Sequence, residues 1–193
     1  MRLTIPTWLT LARIAMIPVL VIVYYLDYRW TNVAATAVFV FASLTDWLDG
    51  WIARRFHQSS AFGAFLDPVA DKLMVSTALV ITVQYHHTVW MALWAAVIIG
   101  REIAVSALRE WMAEVGQRAK VAVATVGKIK TVVQMVALGF LLYREPFLGL
   151  PIFMIGEWLL AAAALLTLWS GYEYVRAAWP ALRAEETKSV DSP

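Results

Sequence analysis

The sequence predicts an all-α integral membrane protein, a bundle of six transmembrane helices, and three observations predict it. Of the 193 residues, 61% are hydrophobic and only 16% charged, where soluble domains average about 45–50% and about 25%. The apolar residues gather into long runs separated by short polar breaks, and at about 20 apolar residues per crossing they suffice for about six spans. Cysteine is absent, which removes disulfides, thiolate metal sites and cysteine nucleophiles. The net charge of +2, from 16 basic and 14 acidic residues, is too small and dispersed for an electrostatic nucleic-acid surface.

The first helix is expected over about 9–26, the second over about 32–55 and the third over about 62–84. The first follows a lone Arg2, carries Arg13 and leaves through Tyr24, Tyr25, Leu26, Asp27 and Tyr28. It has no small-residue cleavage pattern and is read as a retained span rather than a signal peptide. The second ends among Asp46, Asp49, Arg54 and Arg55, and the third opens on Gly63, Asp67, Asp71 and Lys72. A fourth span over about 88–111 holds Arg101, Glu102 and Arg109, a fifth over about 122–143 holds Lys128 and Lys130, and a sixth over about 152–176 holds Glu157 and Glu173. Residues 1–183 read as a single membrane domain with no internal repeat, and 184–193 as a disordered cytoplasmic tail.

Six spans put both termini and the 2–3 and 4–5 loops on one side. That side carries Arg2, Arg54, Arg55, Arg109, Arg118, Lys120, Arg183 and Lys188, against Arg29 and Arg144 opposite. The positive-inside rule makes it cytoplasmic. Trp8, Trp30, Trp90, Trp111 and Trp179 fall near span ends, where amphipathic rings favour the interface. His57, His86 and His87 fall in loops and read as surface residues.

Charges inside apolar runs are expensive, at least about 2.5–3.5 kcal/mol at the bilayer centre, so they face partners or a wet cavity. Singly, each has a bland reading: Asp67 before Pro68 can cap a helix, and Arg101 with Glu102 can form a structural ion pair. Jointly they point to chemistry. Asp46 and Asp49 are spaced i, i+3 and Asp67 and Asp71 i, i+4, so each pair stacks on one helix face. Four converging carboxylates repel one another, and hard divalent cations, Mg²⁺ or Mn²⁺, relieve that repulsion through oxygen ligands. Two such ions suit an in-line phosphoryl displacement. Gly50, Ala53 and Gly63 leave backbone exposed nearby, and Arg54 adds a cation suited to phosphate.

Residues 46 to 71 read Asp46-x-x-Asp49-Gly50-x-x-Ala53-Arg54, eight residues, then Gly63-x-x-x-Asp67-x-x-x-Asp71. All eight positions match the signature of the CDP-alcohol phosphotransferase family of membrane enzymes. The resemblance implies that family's six-helix fold, usually homodimeric, with a two-metal site near the cytoplasmic face. It also implies transfer of a phosphatidyl or similar group from a CDP-linked donor to an alcohol, releasing CMP. Further stretches, Ile5-Pro6-Thr7-Trp8-Leu9-Thr10, Arg101-Glu102-Ile103 with Ser106 to Trp111, and Gly127-Lys128-Ile129-Lys130-Thr131 with Gln134-Met135, resemble the bacterial phosphatidylglycerophosphate synthase branch, whose acceptor is sn-glycerol 3-phosphate. Thr7 stands where many relatives have Asn and receives no donor-binding role.

By this resemblance, Asp46, Asp49, Asp67 and Asp71 ligate two metals and Asp71 is the general base. Gly50, Ala53, Arg54, Gly63 and Asp67 serve CDP-diacylglycerol. A phosphorylated acceptor needs further cations, for which Arg101, Arg109, Lys128 and Lys130 are the candidates. Arg101 and Arg109 lie two turns apart on one helix. Lys130 belongs to the stripe Gly127, Lys130, Thr131, Gln134, whereas Lys128 lies about 100° away from it. Against this stand snorkelling lysines and a positive-inside Arg109. The expected setting is the bacterial inner membrane, with no nucleic-acid partner. Alternative readings are the same chemistry on inositol phosphate or serine, an ion-coupled transporter, and a prenyltransferase. No inverted repeat favours the transporter, and a prenyltransferase would not need the acceptor-phosphate cations.

Overall fold

A computed structural model describes residues 4–56, 60–114 and 125–190. Over these residues it is all-helical: α1 (Ile5–Tyr25), α2 (Thr31–Phe56), α3 (Ala61–Tyr85), α4 (Val89–Glu114), α5 (Thr125–Tyr143) and α6 (Ile152–Val190). Each expected helix is present. Four of them, α1, α2, α4 and α6, contain a stretch long and apolar enough to cross a membrane, while the apolar part of α5, Ile129–Tyr143, is shorter. In α3 the polar residues Asp67, Asp71 and Lys72 interrupt the apolar run.

Helix ends follow local chemistry. Ser60 caps α3, its Oγ accepting from the Gly63 N–H at 2.9 Å, which satisfies one of the orphan donors of a first turn. Pro68 therefore lies inside the helix, and the capping alternative for Asp67 is excluded. A Cβ on Gly63 would sit 2.9 Å from both Ser60 Oγ and Thr7 Oγ1, so this glycine lets the start of α1 approach the start of α3. At the other end of the chain α6 continues through 184–190, where disorder is expected from the sequence. Ala184, Glu185, Glu186 and Lys188 are strong helix formers and extend the preceding helix; residues 191–193 lie outside the described residues.

The core occupies one half of the bundle, where Leu20, Phe39, Leu79, Ile98, Leu138, Leu142 and Leu160 are buried together. α5 packs closely on α6, and α1 on α2 and α3. Gly156 permits the first contact: a Cβ there would lie 3.0 Å from Leu141 Cγ and 3.2 Å from the Ala137 carbonyl. The outward faces are apolar, with Phe41, Trp47, Phe65, Val80, Ile103 and Trp158 all exposed. Among the expected interfacial tryptophans, Trp8, Trp30, Trp90 and Trp179 are exposed, whereas Trp111 packs partly buried against Met112 and Ala178.

The core-rich end is closed by polar contacts. Arg144, just after α5, adopts φ +66°, and its guanidinium lies 3.7 Å from the Tyr24 ring centroid and 4.1 Å from that of Tyr85. This is a cation held between two π-faces. Asn32 Nδ2 donates to the Tyr143 carbonyl at 3.0 Å. His86 Nε2 pairs with Glu157 Oε1 at 2.9 Å, so His86 is not a free surface residue and Glu157 has its partner within the chain.

Candidate active site

The opposite half of the bundle collects Arg13 and the four aspartates. On α1, buried Thr7, Thr10 and Arg13 recur every third residue, which turns this half of an apolar helix into a polar stripe facing α2 and α3. Arg13 ends the stripe, at 1% side-chain exposure. Its Nη1 lies 2.7 Å from Asp46 Oδ1, 2.8 Å from Asp71 Oδ1 and 3.7 Å from Asp67 Oδ1. Its Nη2 donates to Asp49 Oδ2. Thr10 Oγ1 donates to Asp67 Oδ1 at 3.2 Å. The helical spacing and the packing of α1 on α2 and α3 thus bring all four aspartates to one guanidinium.

The four carboxylates differ in exposure. Asp49 is buried at 2%, while the side chains of Asp46, Asp67 and Asp71 are 32%, 43% and 44% exposed. Asp46, Asp49 and Asp67 each offer an oxygen within 4.8 Å of the others, and Asp49 Oδ1 is buried without a hydrogen-bond partner. An unpartnered buried oxygen is costly, and an all-carboxylate donor set suits a hard cation. The cluster can therefore hold a divalent ion.

Two cavities open beside it. One of about 150 Å³ is bordered by Asp46, Asp71, Lys72, Glu102, Lys130 and Gln134. The other, of about 260 Å³, is bordered by Asp67, Asp71, Lys72, Glu102, Ser106 and Arg109. Asp71, Lys72 and Glu102 are common to both. Lys130, Thr131 and Gln134 all face the first cavity, as their stripe on α5 predicts. Lys130 donates to Glu102, which also lies 3.4 Å from Arg101 Nη1. Lys72 donates to Ser106. Arg101 itself turns to α6, where its Nη2 donates to Ser170 Oγ at 2.8 Å and its side chain packs against Gly171. It borders neither cavity and reaches the site only through Glu102.

Of the residues read from the sequence, the structure thus brings together Asp46, Asp49, Asp67, Asp71, Arg109 and Lys130. It sets Gly63 against α1 and Arg101 behind Glu102. The side chains of Ala53, Arg54, Lys128 and Lys188, and residues Arg2, His57, Arg118 and Lys120, lie outside the described residues. Arg13, Thr10, Lys72 and Glu102 join the site without having been assigned to it. A charged residue at mid-span is the signal that marks Arg13.

The family model for CDP-alcohol phosphatidyltransferase matches residues 3–169. The chain belongs to the CDP-alcohol phosphatidyltransferase family. The match contains all six helix starts and every side chain of the carboxylate cluster. Among this family's members, a protein of Yersinia pestis (strain Pestoides F) is 51% identical over 180 residues, covering 93% of this chain and 97% of its own. One of Sodalis glossinidius is 51% identical over 178 residues, covering 92% and 96%. One of Salmonella choleraesuis is 49% identical over 182 residues, covering 92% and 96%. All three are named CDP-diacylglycerol--glycerol-3-phosphate 3-phosphatidyltransferase.

Proposed function

We propose that this CDP-alcohol phosphatidyltransferase moves the phosphatidyl group of CDP-diacylglycerol to sn-glycerol 3-phosphate, giving phosphatidylglycerophosphate and CMP. The observation that carries the reading is the meeting of four signature carboxylates with cavities bordered by Lys72, Arg109 and Lys130. An acceptor that brings its own phosphate dianion needs such cations, and a serine acceptor does not. The names of the relatives support the same substrate pair.

Asp46, Asp49, Asp67 and Asp71 would hold two Mg²⁺ or Mn²⁺ ions, which when bound neutralise phosphate oxygens as negative charge develops. Asp71, common to both cavities, takes the proton from the acceptor's C1 hydroxyl. That oxygen bonds to the lipid-linked phosphorus, the bond from this phosphorus to the CMP oxygen breaks, and CMP leaves with the electron pair. Arg109 and Lys130 hold the acceptor phosphate, with Lys128 as a further candidate. Arg101 acts behind them through Glu102. Gly50, Ala53, Arg54, Gly63 and Asp67 serve the CDP moiety, as the family signature implies.

The setting we infer is the bacterial inner membrane, crossed six times by a homodimer's subunit, with both termini and the site cytoplasmic. The charge asymmetry of the loops supports this orientation. The test is incubation of purified protein with Mg²⁺, CDP-diacylglycerol and labelled glycerol 3-phosphate against a panel of serine and inositol phosphate. CMP together with a labelled phospholipid from glycerol 3-phosphate is expected. A well-folded preparation that uses another acceptor, or none, overturns the reading.

A further inference from the structure

Arg13 lies outside the family signature, yet its side chain touches α2 and α3 carboxylates alike. Its position relative to them is specific. It is 1% exposed, and Asp49 beside it is 2% exposed, whereas the other three carboxylates open toward the cavities. The guanidinium thus lies on the buried side of the acidic cluster. It takes Oδ1 of Asp46 and Asp71 and Oδ2 of Asp49. The second oxygen of Asp49, Oδ1, is buried and unpartnered.

Charge arithmetic fits this arrangement. Four carboxylates with one guanidinium retain a formal charge of −3, and two divalent ions convert that to +1, a balance suited to an anionic diphosphate. A lysine could supply the same charge but not the geometry, because an ammonium is a point charge and a guanidinium is a planar fork. Nor does a side chain buried this deeply have solvent into which to retreat when cations arrive, and a buried cation stripped of its carboxylates is costly.

We propose that Arg13 is a positioning residue: the buried floor of the metal site, which gathers the four carboxylates from beneath and leaves their other oxygens to the divalent ions. It stays bonded to them when the ions bind. The proposal rests on the two-metal reading of the cluster, and the experiment separates the two.

Full-length protein in detergent, stripped with chelator, is titrated with Mn²⁺ alone and bound ion is read by electron paramagnetic resonance. Loss of an outer-shell partner typically weakens a metal site about 10–100-fold, so Arg13→Lys is expected to raise the Mn²⁺ dissociation constant by about that factor. The Mn²⁺ concentration for half-maximal turnover should rise in step, with most of kcat recovered at saturating Mn²⁺. Unchanged or tighter Mn²⁺ binding in folded Arg13→Lys overturns the proposal, the tighter case making Arg13 a competitor of the ions. Should that variant not fold, nitrogen resonances of the wild-type Arg13 guanidinium decide. They should remain protected from solvent exchange when Mg²⁺ is added, and loss of protection shows that the arginine leaves, which also overturns it. Wild-type protein that binds no Mn²⁺ at all removes the two-metal reading instead.

Discussion

A single aspartate, Asp71, lies where the two cavities meet, and the two roles proposed for it, metal ligand and general base, can be told apart by one substitution. Asp71→Asn keeps an oxygen ligand but cannot accept a proton at neutral pH. Turnover should fall by about 100-fold or more, the range of general-base contributions, while CDP-diacylglycerol still binds in the presence of metal. Equilibrium binding of the donor alongside initial rates checks both halves. Lys130 calls for a different measurement, because Glu102 holds its ammonium at the cavity edge. Lys130→Ala should raise KM for glycerol 3-phosphate more than KM for the lipid donor, and a KM that moves for neither places the lysine outside the acceptor site. At this scale much was legible in the sequence: the i, i+3 and i, i+4 spacings alone put the aspartates on two faces. The partners of those faces were not legible. Nothing local says that Arg13, separated from Asp71 by 58 positions, completes the cluster, or that Arg101 turns toward Ser170 while Lys130 turns toward Glu102.

Among the elements, the pair α5 and α6 offers the sharpest contrast between two glycines. Gly156 faces Leu141 and the Ala137 carbonyl at 3.0–3.2 Å, and nothing lies within 4 Å of a Cβ built on Gly139. The Ala137 carbonyl belongs to the backbone of α5 and cannot give way as a side-chain tip can. Gly156→Ala should therefore destabilise by about 1–3 kcal/mol through overpacking, whereas Gly139→Ala should be neutral or stabilising by up to about 1 kcal/mol. Thermal unfolding of both variants in the same detergent checks the pair, and equal shifts would mean that α6 does not seat on α5 at Gly156. All six helices could be read from apolar runs, because hydrophobic length is a local property. Their ends were harder. Ser60 caps α3 although Asp67-Pro68 also resembles a start, and α6 outruns its apolar stretch because alanine and glutamate favour continuing a helix over ending it.

At the scale of the whole molecule, the ionisable site and the apolar core occupy opposite halves of one bundle, and the orientation proposed above assigns those halves to opposite leaflets. The chain has no cysteine, so a single introduced thiol reports on one position. Glu145→Cys in the α5–α6 connection should react with a membrane-impermeant maleimide added outside intact spheroplasts, and Glu114→Cys only after the membrane is permeabilised. The reverse pattern inverts the topology. Six apolar helices could be expected from composition, but the division of labour between halves could not, since it depends on which polar residues find one another across helices. Tyr24 and Tyr85 show this at the far end, brought together by Arg144 from the end of α5. Clasped between those rings, the guanidinium ties the ends of α1 and α3 to the end of α5. One side chain thus rivets three helix ends at the end of the bundle farthest from the carboxylates, so that end is fastened by a contact no pair of helices could make alone.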